Sequence, residues 1–321
     1  MSVPHVLLLG GTGYIGQAFA RELAARGWDS RTLRRSEVDY TRFDRLLELL
    51  RSTHWDFVIN CAGFTGKPNV DACESAKADT LLGNAILPAT VAQACQVAGV
   101  PWGHVSSGCI YSGAKITEGG IQRVEKDMTS PAAKALLAGN RAAIHGFTEA
   151  DEPNFSFRRE PCSFYSGTKA LGEEALQGLE GYIWRLRIPF DEIDNSRNYL
   201  SKVQRYSRVY DNVNSISHRA DFARACLDLW DRRAPAGLYN VVNPGYVTTR
   251  EVVAAIQRVL KPAREFEFWA DDAEFYRVAA KTPRSNCIMD TTKLLATGVE
   301  IRPVEEALET SLRNWRPEKA I

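Results

Sequence analysis

With 321 residues, 45% of them hydrophobic and 25% charged, the chain has the make-up of a globular protein with room for two domains of roughly 150 residues each. Forty basic against 39 acidic residues leave a net charge of +1, without the basic excess that marks a nucleic-acid binder. No apolar run is expected to reach the roughly 18 residues of a membrane span, residues 1–9 lack the basic region and cleavage site of a secretory leader, and no segment is of low complexity, so a cytoplasmic protein without nucleic-acid or membrane partners is expected.

In chain order, residues 5–9 (HVLLL) form a continuous apolar run that ends in glycines and opens into the helical pattern QAFARELAARG. Such a run reads as a strand buried on both faces. A second strand falls near 30–34, a helix at 46–52, and a third strand, closed by Gly63, at 56–63. Residues 72–98 read as one long helix and 100–107 as the next strand. Residues 112–150, rich in Ala, Gly and charge, carry no clear strand and read as a partly helical insertion. A helix from Tyr165 to about Leu179 and a strand at 182–189 follow. This alternation predicts an α/β protein with a doubly wound parallel sheet. After Pro189 the pattern is more broken: helices at 220–232 and 248–260, the latter with Thr248 or Thr249 as N-cap, a short strand at 237–244, and helical stretches near the C-terminus. The expected division is a Rossmann domain over 1–188, with an insertion at about 113–148 and late elements at about 213–243 returning to it, and a smaller lobe over 189–321 that mainly binds substrate.

The turn after the first strand carries Gly10, Thr12, Gly13, Tyr14, Ile15 and Gly16. Glycines at 10, 13 and 16 allow positive φ and close approach of a pyrophosphate, and the helix N-terminus beyond them offers free N–H groups to an anion. The motif alone is weak; its place between strand and helix gives it weight. An NAD-binding protein would carry an acidic residue at the end of the second strand. Arg34 and Arg35 stand there instead, and two guanidiniums suit a 2′-phosphate, so NADP(H) is the expected cofactor.

Tyr165-Ser-Gly-Thr-Lys169 is a YxxxK at a helix start, with both side chains on one face. A nearby ammonium is expected to lower the phenol pKa so that the Tyr can shuttle a proton. Ser106 and Ser107 end an earlier strand, and strand C-termini converge on the ligand crevice of a parallel sheet. The seven cysteines, at 61, 73, 95, 109, 162, 226 and 287, include no CxxC pair, so no metal site is expected. The five histidines have no ligand spacing, and His104 reads as a core residue.

GGTGYIG, Ser107 and YSGTK together resemble the fingerprint of the extended short-chain dehydrogenase/reductases. Within that superfamily, TPRSNCIMDTTKL at 282–294 resembles a late signature of the dTDP-4-dehydrorhamnose reductases. VINCAGFTGKPNVDACES, GCIY, EADEPNFS, SFYSGTKALGEE, RLRIPFDEIDNSRNYLSKVQRYSRV and NPGYVTTREVV resemble the plant nucleotide-rhamnose synthase/epimerase-reductases, which act on UDP-4-keto-6-deoxy-glucose. That resemblance implies an NADPH-dependent 3,5-epimerase/4-reductase of a nucleotide-linked 4-keto-6-deoxy sugar. It implies Tyr165 and Lys169 as reductase residues, Ser107 as the hydroxyl partner, and Cys109 and Lys202 as the epimerase pair. It places Asn60, Cys61, Ala62 and Gly63 near the adenosine and pyrophosphate, Thr65 near the nicotinamide, and Asn198, Arg284 and Asn286 near the nucleotide sugar. Asn84 matches a family position that fixes local backbone. Family members are also expected to form homodimers through the helices near 81–98 and 165–179. The stretch 113–148 departs from the plant pattern and leaves the nucleotide (UDP, dTDP or GDP) and the sugar open. A 4-reductase without epimerase activity, or a non-catalytic cofactor-sensing subunit, are the alternatives.

Overall fold

The computed structural model of the protein describes residues 3–318; residues 1, 2 and 319–321, which fall in the leader and lobe expectations, lie outside the described residues. Strand β1 (His5–Leu9) buries Val6 and Leu8 on one side and Leu7 and Leu9 on the other. That two-sided burial is why its sequence does not alternate between apolar and polar. It pairs in parallel with β2 (Asp29–Leu33) and β3 (Phe57–Asn60). Then follow β4 (Trp102–Ser107), β5 (Tyr182–Leu186) and β6 (Gly237–Asn240), also parallel, giving a six-stranded sheet in the order β6-β5-β4-β3-β1-β2. The order reverses direction between β1 and β3, so the crevice at a topological switch point opens above Leu9 and Asn60, which face each other in register.

Helix α1 (Gly16–Ala25) and a late helix packed beside it, Arg219–Asp231, cover one face through Phe19, Leu23, Phe222 and Leu227. The other face is covered by α2 (Phe43–Ser52) and α3 (Leu87–Ala98) through Leu46, Leu50, Leu87 and Val91. The expected single helix over 72–98 is broken into Ala72–Ser75, Lys77–Leu81 and a wide turn, Leu82–Ile86, before α3 begins. The cause is local. Pro88 has no N–H to give to the Asn84 carbonyl, and the ladder slips so that the Leu87 N–H donates to the Leu82 carbonyl five residues back. Lys77–Ala98 is long and apolar enough to cross a membrane by length and composition alone. Here its apolar residues Leu87, Val91, Ala92, Ala94 and Cys95 are packed in the core.

The insertion also differs from expectation. It contains a hairpin, Ala114–Glu118 with Ile121–Glu125, joined to Ile144–His145 in a three-stranded antiparallel sheet, and α4 (Pro131–Gly139). Gly119 and Gly120, both at positive φ (58° and 81°), make the two-residue turn that such hairpins favour. Ala114, Met128, Ala133 and Ile144 pack on Val213 and Ile288 of the later chain. The remaining named helices are α5 (Phe164–Ala175), shorter than the expected stretch to Leu179, α6 (Tyr199–Arg205), α7 (the late helix Arg219–Asp231), α8 (Thr249–Leu260) and α9 (Val304–Arg313). Thr248 caps α8 in a reciprocal capping box with Glu251. Phe190, Leu200, Val203, Ile216, Ile256 and Leu308 form the second lobe's own core, while β6 and α7 belong to the sheet layer.

Candidate active site

At the switch point the two turns that leave β1 and β3 touch. Gly10 has φ +73°, and a Cβ there would sit 2.6 Å from the Ala62 nitrogen; at Gly16 an added Cβ would collide with the Gly10 carbonyl. Thr12 and Gly13 are exposed, Tyr14 and Ile15 half-buried, and no side chain caps the start of α1. The Gln17 and Ala18 N–H groups are given to the Gly13 and Ile15 carbonyls, so an anion here would rest on the glycine turn itself, at the positive end of α1. Opposite that turn, buried Asn60 accepts from the Ala62 N–H at 3.0 Å while its own Nδ2 has no partner. Cys61 and Ala62 are half-buried and Gly63 exposed along the same rim. Arg34 and Arg35 are exposed just beyond Leu33, with the Arg34 N–H fixed by Glu37 at 2.8 Å. These residues fit a dinucleotide phosphate backbone, with two exposed guanidinium groups beyond the end of β2.

Tyr165 and Lys169 lie one turn apart on α5, both buried. Ser163 caps that helix by accepting from the Ser166 N–H at 3.1 Å, and Glu74 accepts from the Phe164 N–H at 2.8 Å. Asn84, within the wide turn, holds the Phe64 backbone by two hydrogen bonds, at 2.9 and 2.8 Å. The helix is braced from below as well: Glu173 takes a fork from Arg185 of β5 (2.7 Å to Nη2) and a hydrogen bond from Ser106 of β4 at 2.6 Å. Lys169 Nζ donates to the Val105 carbonyl at 3.4 Å and lies 3.6 Å from where a Gly63 Cβ would be. Burial pushes the Lys169 ammonium down to about 8, against the pull of Glu173, Cys109 and Cys61. Tyr165 does not follow the sequence expectation of a lowered phenol. Burial and the neighbouring Cys109 push it up, and Ser107 and Arg187 oppose the rise. Lys169 gives one N–H to the Val105 carbonyl and, with its pKa lowered to about 8, is still an ammonium at neutral pH.

Ser107, the last residue of β4, accepts from the Cys109 N–H at 3.2 Å and so caps the short turn Gly108–Ile110. One turn thus carries both the hydroxyl and the thiol. A side chain at Gly108 would run into Met289, which fixes how the turn lies. Cys109 is half-buried, and Arg187 Nη1 donates to its sulfur at 2.8 Å. Ser107, Cys109, Tyr165 and Lys169 therefore meet in one crevice.

Lys202 stands on α6 of the lobe, half-buried, where burial and the charge of Arg197 lower its pKa. Arg197 reaches the β3 exit loop, donating to Thr65 Oγ1 at 3.2 Å and to the Gly66 carbonyl at 3.1 Å. Thr65 is exposed at that rim. The other lobe residues are engaged with protein. Asn198 is fully buried, caps α6 through the Leu200 N–H, and gives its Nδ2 to the Asp191 and Ile193 carbonyls. Arg284 forms a bidentate pair with Asp71 at 2.6 and 2.7 Å, which holds that carboxyl below its usual range although burial pushes it up. Asn286 accepts from Asn214 at 3.1 Å.

Sequence reading assigned nothing to Arg185, Arg187 or Glu173. The signal was present: two arginines at alternate positions of the expected strand at 182–189, between apolar residues, where a buried charge needs a partner.

Residues 4–316 match the RmlD substrate binding domain family. Over 306 residues the chain is 30% identical to a bifunctional dTDP-4-dehydrorhamnose 3,5-epimerase/dTDP-4-dehydrorhamnose reductase of Arabidopsis thaliana, covering 95% of this chain and 91% of the relative. It spans 40% of a longer trifunctional UDP-glucose 4,6-dehydratase/epimerase/reductase of the same plant. Among solved structures, the UDP-rhamnose synthase of Acanthamoeba polyphaga mimivirus superposes with a TM-score of 0.79 at 21% identity, covering 98% of this chain and 100% of that one. The dTDP-4-dehydrorhamnose reductase of Bacillus anthracis in complex with NADP gives 0.74 at 19% identity, covering 98% and 99%.

Proposed function

The chain belongs to the RmlD substrate binding domain family, and we propose that it is an NADPH-dependent 3,5-epimerase/4-reductase that converts a nucleotide-linked 4-keto-6-deoxy sugar into its L-rhamnose-type product. The observation that carries this reading is the meeting of two sets of groups in one crevice: Tyr165, Lys169 and Ser107 for reduction, and a thiol, Cys109, on the same turn as Ser107. The NADP complex of a reductase of similar fold and the exposed Arg34 and Arg35 beyond β2 support NADP(H) as the cofactor.

A ketone at C4 makes the protons at C3 and C5 acidic. Cys109 removes such a proton as a thiolate, and Lys202 returns one from the opposite face as an ammonium. Ser107 and Tyr165 donate hydrogen bonds to the C4 oxygen and stabilise the enolate. Tyr165 also delivers the proton to that oxygen when the ketone is reduced, so one oxyanion site serves both steps. Lys169, buried beside Gly63, holds the ribose end of the cofactor and replenishes the phenol. A bound nicotinamide supplies the hydride. Water is kept from the sheet side of the crevice by Ile110, Tyr111 and Met289, all buried behind the Cys109 turn.

The test is product identity. Incubation with NADPH and UDP- or dTDP-4-keto-6-deoxy-glucose is expected to yield the corresponding L-rhamnose nucleotide with one NADPH oxidised per sugar. A 4-reduced sugar that keeps its original C3 and C5 configuration would make the protein a plain reductase.

A further inference from the structure

Arg187 leaves the end of β5 straight into the crevice and is 2% exposed. Nη1 donates to Cys109 Sγ at 2.8 Å, and Nη2 donates to Asn214 Oδ1 at 2.6 Å and to the Ser285 carbonyl. Its backbone N–H is held by Ser217 Oγ at 3.1 Å, and its Nε finds no acceptor. Among the described residues it has no carboxylate partner. The acidic groups that face it are Cys109, Cys287 and Tyr165.

Burying a guanidinium without an anion is costly, so the partner matters. Cys287 is fully buried, donates to the Gly108 carbonyl at 3.3 Å, and burial pushes its thiol up to about 11. It stays a thiol. Tyr165 is likewise pushed up by burial and has to keep its proton until reduction. Cys109 is the one of the three that is half-exposed to the crevice and in direct contact with the guanidinium.

We propose that Arg187 is the positioning residue of the epimerase half-reaction: it holds Cys109 as a thiolate aimed into the crevice and remains its counter-ion until the negative charge has passed to the substrate. This rests on the epimerase/reductase reading. In the step itself the sulfur takes the proton from C3 or C5. The C–H electron pair becomes the new C=C bond to C4, and the carbonyl π pair goes to the C4 oxygen, hydrogen-bonded by Ser107 and Tyr165. Lys202 then gives a proton to the same carbon from the other face, and exchange with solvent restores thiolate and ammonium. Arg187 touches neither bond. It sets the charge and direction of the group that does.

Two variants separate this from a packing role: Arg187→Gln removes the charge, and Arg187→Lys keeps it. In the full-length protein, alkylation of Cys109 by iodoacetamide at neutral pH, read by mass spectrometry, is expected to slow about tenfold or more in the Gln variant and to recover in the Lys variant. With substrate in D2O, deuterium entry at C3 and C5 is expected to fall at least about tenfold further than ketone reduction in the Gln variant, with partial return in Lys. Wild-type alkylation of Cys109 in the Gln variant overturns the proposal. So does an equal loss of both steps with Lys no better than Gln. If the wild-type protein takes up no deuterium at all, the epimerase reading fails, while the alkylation result still decides whether Arg187 governs Cys109.

Discussion

The sheet side and the lobe side of the crevice are built in opposite ways. On the sheet side, Ser107, Cys109, Tyr165 and Lys169 sit at a strand end and on one helix, and their supports are buried and cross-linked: Arg185 to Glu173, Ser106 to Glu173, Arg187 to Cys109. On the lobe side, Lys202 rides on a seven-residue helix, and its neighbours spend their polar groups on holding the lobe together and against the β3 loop, as Asn198 and Arg284 do. Strand register and core packing fix the first set. The second set is carried by the lobe's own core, into which α6 packs Leu200 and Val203, and is tied to the β3 loop by side-chain hydrogen bonds. On the proposed reading, the oxyanion and proton-donating groups belong to the sheet side and the nucleotide-sugar end to the lobe side.

This contrast can be tested from both sides. Tyr165→Phe removes the proton donor from the rigid half, and ketone reduction measured by NADPH absorbance is expected to fall about a thousandfold, with the protein still folded; a loss under tenfold would remove Tyr165 from the chemistry. Glu173→Gln leaves Arg185 charged and unpaired in the core and is expected to cost about 3–5 kcal/mol of stability, read as a lowered denaturant midpoint. A loss below 1 kcal/mol would show that the brace under α5 is not what makes this side rigid. Lys202→Met, on the lobe side, is expected to slow deuterium entry about a hundredfold with little change in the denaturant midpoint. Equal losses of stability and exchange would erase the distinction between the halves.

Two smaller effects follow. Lys169 titrates near 8, so reduction is expected to decline as pH rises past that value, about tenfold per unit once the ammonium is required. Because the folded value lies below the ordinary 10.5, the unfolded chain binds the extra proton between about 8 and 10.5, and this group makes folding more favourable as pH rises through that window. The decline is then catalytic, and a Lys169→Arg variant is expected to shift it to higher pH. Arg284→Ala opens the partly buried pair with Asp71 and is expected to raise KM by roughly five- to tenfold, about 1 kcal/mol, with kcat nearly unchanged; a fall in kcat alone would place Arg284 with the reacting groups.

The sheet side was the more legible half. HVLLL followed by glycines reads as a buried strand and phosphate turn because both signals are local, and Tyr165 and Lys169 are four residues apart on one helix face. Arg187 was missed because its partner Cys109 lies 78 residues away, a pairing that only the sheet creates. The break before α3 was foreshadowed by Pro88, and the insertion hairpin by Gly119-Gly120 between two five-residue strands. Both were hidden by composition that otherwise favours helix. Asn198 stands immediately before a helix, the place where Asn caps the first turn, and that position, not the crevice, accounts for its hydrogen bonds.

The most direct measurement is turnover with NADPH and UDP- or dTDP-4-keto-6-deoxy-glucose in D2O, with the product read by NMR for the wild-type protein and for Cys109→Ala. The expected result is NADPH oxidation with deuterium at C3 and C5 of an L-rhamnose-type product in the wild type, and loss of that deuterium in Cys109→Ala. NADPH oxidation without deuterium in the wild type, or the same deuterium content in both proteins, would contradict the assignment of Cys109 as the group that makes this reductase an epimerase.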